Sequence, residues 1–139
     1  MLSHKVRVFV FRYDNGQLSY LLLRRRPSTE NTLGPVQGLV GIDEHLRDAV
    51  LREVRQDTGL THPTHLIDLD HASTLTIGDE GLVEWEFGYQ APIIGPAGRI
   101  QPGPDVAESI WVGFEGAFCS LEMPEDRDAL VRLQVLITG

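Results

Sequence analysis

Oxygen-bearing side chains recur at helical spacing between residues 53 and 57. Glu53, Gln56 and Asp57 stand at positions i, i+3 and i+4, so a helix would place all three on one face. Carboxylate and amide oxygens gathered on one face suit a hard divalent cation such as Mg²⁺ or Mn²⁺. The spacing therefore predicts a metal site in this part of the chain.

Positioning these side chains requires a helix, which the sequence predicts over residues 43–58. Asp43 or Glu44 would favour its start, because acidic side chains interact well with the exposed N–H groups and the dipole of a helix N-terminus. Gly59 would end it, since a left-handed residue after the last turn is easiest for glycine. One stripe of the helix should face a core, and it consists of Leu46, Ala49, Val50 and Val54.

Residues 38–60 resemble the Nudix box, the signature of hydrolases that cleave nucleoside diphosphates linked to another group. The pattern is G-x5-E-x7-R-E-U-x-E-E-x-G-U, in which U is an aliphatic residue. The matching positions are Gly38, Glu44, Arg52, Glu53, Val54, Gly59 and Leu60. The family places two glutamates where this chain has Gln56 and Asp57, so the box matches at all its fixed positions except these two.

The resemblance extends along nearly the whole chain in the order of its elements. It implies an α/β fold, the α/β/α sandwich of Nudix proteins with a mixed β-sheet, as a single domain over residues 1–139. It also implies pyrophosphohydrolase chemistry, in which water attacks a diphosphate phosphorus while Mg²⁺ (or Mn²⁺) neutralises charge on the bridging oxygens.

The resemblance also implies roles for individual residues. Glu53 would be the central metal ligand, with Asp57 and the amide oxygen of Gln56 beside it, and Asp105 could complete the set. A turn residue after Pro104 is an equally good interpretation of Asp105. The catalytic residues would be Glu53, Asp57 and Arg52, the last of which would hold Glu53 in orientation. Glu44 would tie down the loop before the helix.

The two departures from the box should weaken metal binding. Asp57 keeps its charge but is shorter than glutamate by one methylene, roughly 1.5 Å of reach. Gln56 loses a charge that would contribute about 4 kcal/mol per unit of cation charge at about 4 Å and an effective dielectric near 20. Two hypotheses follow: an active Mg-dependent pyrophosphohydrolase acting on a nucleoside or pterin triphosphate, or a degenerate Nudix module that binds a nucleotide-like ligand without hydrolysing it.

Four residues are candidates for substrate binding. Among the arginines at 24–26 we favour Arg24 and Arg26, because strand alternation prevents neighbours from facing one pocket, and guanidinium groups match phosphate oxygens. The alternative is a solvated strand end whose aliphatic stems pack over the sheet. Gly38 would allow close approach of the backbone to a ligand. The resemblance implies that Glu84 lies near the substrate pocket, and the lead-in at 36–38 is similar to that of dihydroneopterin triphosphate pyrophosphatases.

The remaining pattern predicts strands and one further helix. Asn15-Gly16 predicts a type I′ hairpin turn between the first two strands. The predicted strands are 5–11, 17–24, 35–40, 66–77, 82–91 and 105–114, with loops at 27–34 and 92–104. Residues 124–137 read as an amphipathic helix, with Pro124 in its first turn.

Composition limits the partners of the chain. Its 139 residues include 12 Lys and Arg against 20 Asp and Glu, a formal charge of −8, which argues against nucleic-acid binding. No apolar run approaches the roughly 20 residues needed to span a bilayer. The single cysteine, Cys119, excludes an internal disulfide and is expected to be a small buried hydrophobe. With no signal peptide in the sequence, we expect a cytoplasmic protein, and the resemblance leaves a homodimer open.

Overall fold

The strands of the chain join into one mixed sheet of seven strands. The computed structural model describes residues 2–26, 32–93, 95 and 98–139. In chain order the elements are β1 (Leu2–Asp14), β2 (Gln17–Arg25), β3 (Leu33–Gly34), β4 (Val36–Leu39), α1 (Leu46–Thr58), β5 (His65–Ile77), β6 (Glu80–Gln90), β7 (Val106–Val112), α2 (Phe114–Ser120) and α3 (Pro124–Thr138).

Strand β1 organises the sheet because it is long enough to pair with three other strands. Its first half pairs antiparallel with β4, between Lys5 and Val8, and its second half pairs antiparallel with β2. Along its other edge it runs parallel to β6, which in turn pairs antiparallel with β5. Strands β3 and β7 both pair with β2. Only the β1–β6 pairing is parallel among the named pairs.

Alternation along β1 divides the core between the two faces of the sheet. Val6, Val8 and Val10 belong to the cluster that contains the buried residues of α1. Phe9 and Phe11 belong to the second cluster, which contains the buried residues of α2 and α3. Successive side chains of a strand point to opposite faces, so one strand contributes to both layers. The predicted α/β/α sandwich is therefore confirmed.

Helix α1 begins three residues later than predicted and ends where predicted. Asp43 has a left-handed backbone (φ 61°) and lies in a turn, so it cannot start the helix. Glu44 does not start the helix either. Its carboxylate accepts a hydrogen bond from the Gly41 N–H at 2.8 Å in the loop before α1. At the other end Gly59 has φ 79° and its N–H bonds the Arg55 carbonyl, as expected of a left-handed C-cap.

Several smaller predictions can also be compared with the structure. The hairpin turn is confirmed by positive φ at Asn15 (51°) and Gly16 (77°). The expectation that Cys119 is buried is wrong: it lies exposed on α2, a helix that the sequence did not predict. Within the predicted loop 27–34, residues 27–31 lie outside the described residues and Leu33–Gly34 form β3. No helix in the described ranges is long and apolar enough to cross a membrane.

The loop before β7 is fastened to the C-terminal end of α1 by backbone hydrogen bonds. The N–H groups of Gln101 and Gly103 donate to the carbonyls of Thr58 (2.7 Å) and Asp57 (3.2 Å). The Arg26 N–H donates to the Asp105 carbonyl at 2.7 Å, which joins the end of β2 to the same loop. These contacts bring β2, the end of α1 and Asp105 together.

Candidate active site

The carboxylate of Glu53 lies directly against the backbone of β4. A Cβ atom on residue 38 would overlap this carboxylate, so only glycine leaves room for it. Alternation explains the arrangement, because Val36 faces the α1 side of the sheet and Gly38, two residues later, faces the same side. Gly38 therefore makes room for the Glu53 side chain, and its predicted role in close approach to a ligand stays a prediction.

Arg52 holds Glu53 in place and is itself anchored at three other points. Its Nη1 donates to Glu53 Oε1 at 2.7 Å. Its Nε and Nη2 donate to the two oxygens of Glu44 at 2.8 and 2.9 Å, and Nη2 also donates to the Leu39 carbonyl. The predicted positioning roles of Arg52 and Glu44 match these contacts.

Electrostatics keep this network charged. The hydrogen bond from Arg52, together with that from the Gly41 N–H, lowers the pKa of Glu44 to about 2. The bond to Glu44 is also the main reason that the pKa of Arg52 is raised, and the neighbouring Glu53 adds to it. Both groups therefore stay ionised at neutral pH.

Asp57, the second carboxylate on this face of α1, is paired with Arg25. The guanidinium Nη2 and Nη1 donate to its two oxygens at 2.5 and 3.2 Å. The Asp57 side chain is only 8% exposed, whereas that of Arg25 is 38% exposed. The bond to Asp57 is the main cause of a raised pKa of Arg25, to which the charges of Glu53 and Asp105 also contribute. The three predicted ligand carboxylates thus all act on one guanidinium.

This arrangement bears on the predicted metal site. Within the residues that the structure describes, no three His, Cys, Asp or Glu side chains are grouped so that they could hold a metal ion. What remains is Glu53, the exposed amide of Gln56 on the next turn, and an Asp57 already neutralised by Arg25. Such oxygen donors suit one hard cation but not a cluster of several. Metal binding by Glu53, Gln56, Asp57 and Asp105 stays a prediction.

The structure gives a contact for each of the three arginines at 24–26. The prediction that Arg24 and Arg26 bind phosphate stays a prediction. Arg24 forms an ion pair with Glu108 of β7, and the described contact of Arg26 is its N–H bond to Asp105. Arg25, which the sequence had set aside, shares the α1 side of β2 with Leu21 and Leu23 and reaches Asp57. Strand alternation groups Arg25 with Leu21 and Leu23, but the sequence does not show which face of β2 meets α1.

Buried charges on the opposite face of the sheet form a second cluster. Arg7 is 4% exposed; its Nη2 donates to Glu84 and its Nε donates to Asp126, both at 2.7 Å. Lys5 lies 3.4 Å from the same Glu84 oxygen. The buried Nη1 of Arg7 has no hydrogen-bond partner. Burial raises the pKa of Asp126 above its ordinary 3.8, an effect that Arg7 opposes.

A cleft of about 330 Å³ opens beside this cluster. Its polar lining is Lys5, Arg7, Gln37, Glu84, Glu125 and Asp126, and its apolar lining is Leu75, Leu82 and Met123. Of these residues the sequence had singled out only Glu84. The signal for Lys5 and Arg7 was their place at alternate positions of the otherwise apolar run 5–11, since buried charges need partners.

Comparison with known proteins decides the family. A sequence model of the NUDIX domain matches residues 3–133 of this chain. The chain belongs to the Nudix family. No curated protein matches it in sequence.

Three solved structures illustrate the likeness. The NUDIX domain of NrtR from Shewanella oneidensis, complexed with ADP ribose, is 17% identical with a TM-score of 0.78, covering 99% of this chain and 90% of that one. The dihydroneopterin triphosphate pyrophosphohydrolase of E. coli is 20% identical (TM-score 0.77, 98% and 96% covered). A binary complex of the C. elegans Ap4A hydrolase is 16% identical (TM-score 0.75, 99% and 98% covered). At these identities the likeness establishes the fold.

The Nudix box of this chain has two structural parts. Its glycines and the Arg52 network make contacts that fix α1 against β4 and against the loop before β7. Gln56 and Asp57, the two departures, lie outside that network, and one is exposed while the other is paired with Arg25. The packing contacts of the box are therefore intact, and its two departures change one charge and the length of one carboxylate.

Proposed function

We propose that this protein is a pyrophosphohydrolase that cleaves a diphosphate bond in a nucleotide-like or pterin-like triphosphate. The observation that carries the proposal is the fixed carboxylate of Glu53, which is held by Arg52 and packed against Gly38. An enzyme needs such fixed orientation, because displacement of a reacting group by about 1 Å can cost 10²-fold in rate.

A single Mg²⁺ or Mn²⁺ ion is the cofactor that this donor set supports. When bound, it would neutralise charge on the diphosphate oxygens. Glu53 would hold it, with the amide oxygen of Gln56 on the next turn and with Asp57 where Arg25 permits. Arg52 would position Glu53, and Asp105 would add negative charge at the edge of the site. Of Arg24, Arg25 and Arg26, Arg25 is best placed to meet a phosphate, because its guanidinium lies at Asp57 on the face of α1 that carries Glu53.

The cleft on the other face of the sheet supports a heterocyclic substrate. Arg7 Nη1 is a buried donor without a protein partner, and the carboxylates of Glu84 and Asp126 are acceptors beside it. A purine or pterin edge carries both carbonyl acceptors and amino donors, so it could pair with such a set. The pterin triphosphate named for the E. coli neighbour and the ADP ribose bound by NrtR are ligands of this chemical kind.

The proposal is tested by release of phosphate or pyrophosphate from a panel of nucleoside and pterin triphosphates. We expect turnover that requires Mg²⁺ or Mn²⁺ and that the Glu53→Gln variant loses. The matched control is Glu115→Gln, which removes the same charge from an exposed position on α2. Turnover no higher than that of E53Q on every substrate would reject hydrolysis.

One observation favours a second candidate, a Nudix module that binds its ligand without cleaving it. Gln56 is neutral and Asp57 is paired with Arg25, so the box face of α1 carries less negative charge than three glutamates would. Gln56→Glu separates the two cases: a large gain from a nearly silent parent supports the binding module, and little change supports an enzyme that already works. Gln17→Glu, which adds a charge at the exposed hairpin, is the control.

A further inference from the structure

We propose that Arg25 is the resident cation of Asp57, and that this guanidinium competes with a divalent ion for that carboxylate. Both Asp57 oxygens accept from Arg25, at 2.5 and 3.2 Å. A two-point pair between a guanidinium and a carboxylate is the strongest form of this contact. The inference rests on the proposed function only in assuming that Glu53 can hold an ion.

The charges around Arg25 explain why it suits this position. Glu53, Asp57 and Asp105 all act on its guanidinium, and Arg52 is bonded to the first of them. With Glu44, the main partner of Arg52, four carboxylates stand against two guanidiniums, a formal charge of −2. Without Arg25 the charge would be −3, so a divalent ion meets a weaker attraction here as long as Arg25 stays in place.

Exposure decides which partner moves when an ion arrives. The Asp57 side chain is 8% exposed and is fixed on α1, next to the backbone bond between its carbonyl and Gly103. The Arg25 side chain is 38% exposed at the last position of β2, so its charged end can turn to solvent while its stem stays packed. An ion that takes Asp57 thus displaces Arg25, and the released guanidinium is left beside the site.

A double-mutant cycle read by metal binding alone tests this competition. Isothermal titration calorimetry with Mn²⁺ is carried out on the wild type, Arg25→Gln, Asp57→Asn and the double variant. We expect R25Q to bind Mn²⁺ about tenfold more tightly, since a positive charge a few ångströms from the ion is gone. We expect D57N to weaken Mn²⁺ binding less in the wild type, where Arg25 occupies the carboxylate, than in the R25Q background, because interacting residues are not additive.

Two further variants make the result unambiguous. Arg55→Gln removes the same charge from an exposed position of α1, about 200° around the helix from Asp57, and should leave Mn²⁺ affinity unchanged. Arg25→Lys keeps the charge but cannot bond both oxygens as a fork, so its affinity should lie between those of R25Q and the wild type. If circular dichroism shows that R25Q does not fold, R25K replaces it in the comparison.

The competition is overturned if R25Q, or R25K in its place, binds Mn²⁺ no more tightly than the wild type. It is also overturned if D57N weakens binding equally in the presence and in the absence of Arg25. Either outcome leaves the hydrolase proposal standing, because that proposal is judged by substrate turnover of the wild type against E53Q. Conversely, a protein without turnover could still show the predicted non-additive changes in Mn²⁺ affinity.

Discussion

Gly38→Ala should separate catalysis from stability. The new Cβ would overlap the Glu53 carboxylate, and an ordinary carbon contact of about 3.5 Å requires that carboxylate to move by more than about 1 Å. The atoms in the way are the end of a flexible side chain, so the chain can fold by moving Glu53. The variant should therefore keep its structure while its central carboxylate is misplaced.

The expected effect of Gly38→Ala on the free energy of unfolding is much smaller than its effect on the rate of hydrolysis. Residue 38 does not have a positive φ, so alanine should stabilise by about 0.4–1 kcal/mol through the unfolded state. Weakening the partly exposed pair of Glu53 and Arg52 should cost about 0.2–1 kcal/mol. The net change in the free energy of unfolding is close to zero. Displacement of Glu53 should nevertheless lower the rate by about 10²-fold, or about 2.7 kcal/mol of transition-state stabilisation.

The assay is kcat for triphosphate hydrolysis together with urea unfolding of the same preparation. Gly116→Ala is the matched control: its Cβ would make only ordinary contacts with Val112 inside α2, so kcat should be unchanged. The double variant G38A/E53Q should lose no more activity than E53Q alone, since both act through one carboxylate. The reasoning is refuted if G38A retains full kcat, or if it is inactive only because it is unfolded.

Three further predictions follow from other contacts. Glu44→Gln removes the charge that anchors Arg52, so kcat should fall about tenfold with little change in KM, as a steady-state titration would show. Gly103→Ala would place a Cβ against the backbone carbonyl of Gln56, which cannot yield, so urea unfolding should show a loss of about 1–3 kcal/mol. Burial raises the pKa of Asp126, so its contribution to stability is complete below pH 3.8 and is lost as the pH rises through the raised value. The unfolding free energy of the wild type minus that of Asp126→Asn should therefore decrease with rising pH above 3.8, and a difference that increases would contradict this.

The fold was predictable because its signals are local. Hydrophobic period and turn chemistry located α1, α3 and the Asn15-Gly16 hairpin within a few residues of their observed bounds. Helix α2 was missed because its seven residues give too short a window for helical periodicity. The start of α1 was misplaced because Asp43 and Glu44 look like helix-capping residues, whereas a turn and the contact with Arg52 use them instead.

For the candidate site, only the spacing of its residues along α1 was predictable from the sequence. Sequence placed Glu53, Gln56 and Asp57 on one helix face, but it could not show that Asp57 is buried and already paired. That pairing depends on Arg25, which lies 32 positions away in the sequence and comes into reach only through the sheet. The cluster of Arg7, Glu84 and Asp126 is similarly non-local, since it joins β1, β6 and α3.

A match to the Nudix box is therefore stronger evidence for geometry than for the number of metal ions. Gly38 is constrained by the carboxylate of Glu53 and Arg52 by three anchors besides Glu53, so changes there displace the Glu53 carboxylate. Gln56 is exposed and has no such role in the fold, so its charge can change without loss of stability. Gln56 carries no charge and Asp57 is paired with Arg25, so both departures reduce the negative charge that this face of α1 offers to a metal ion.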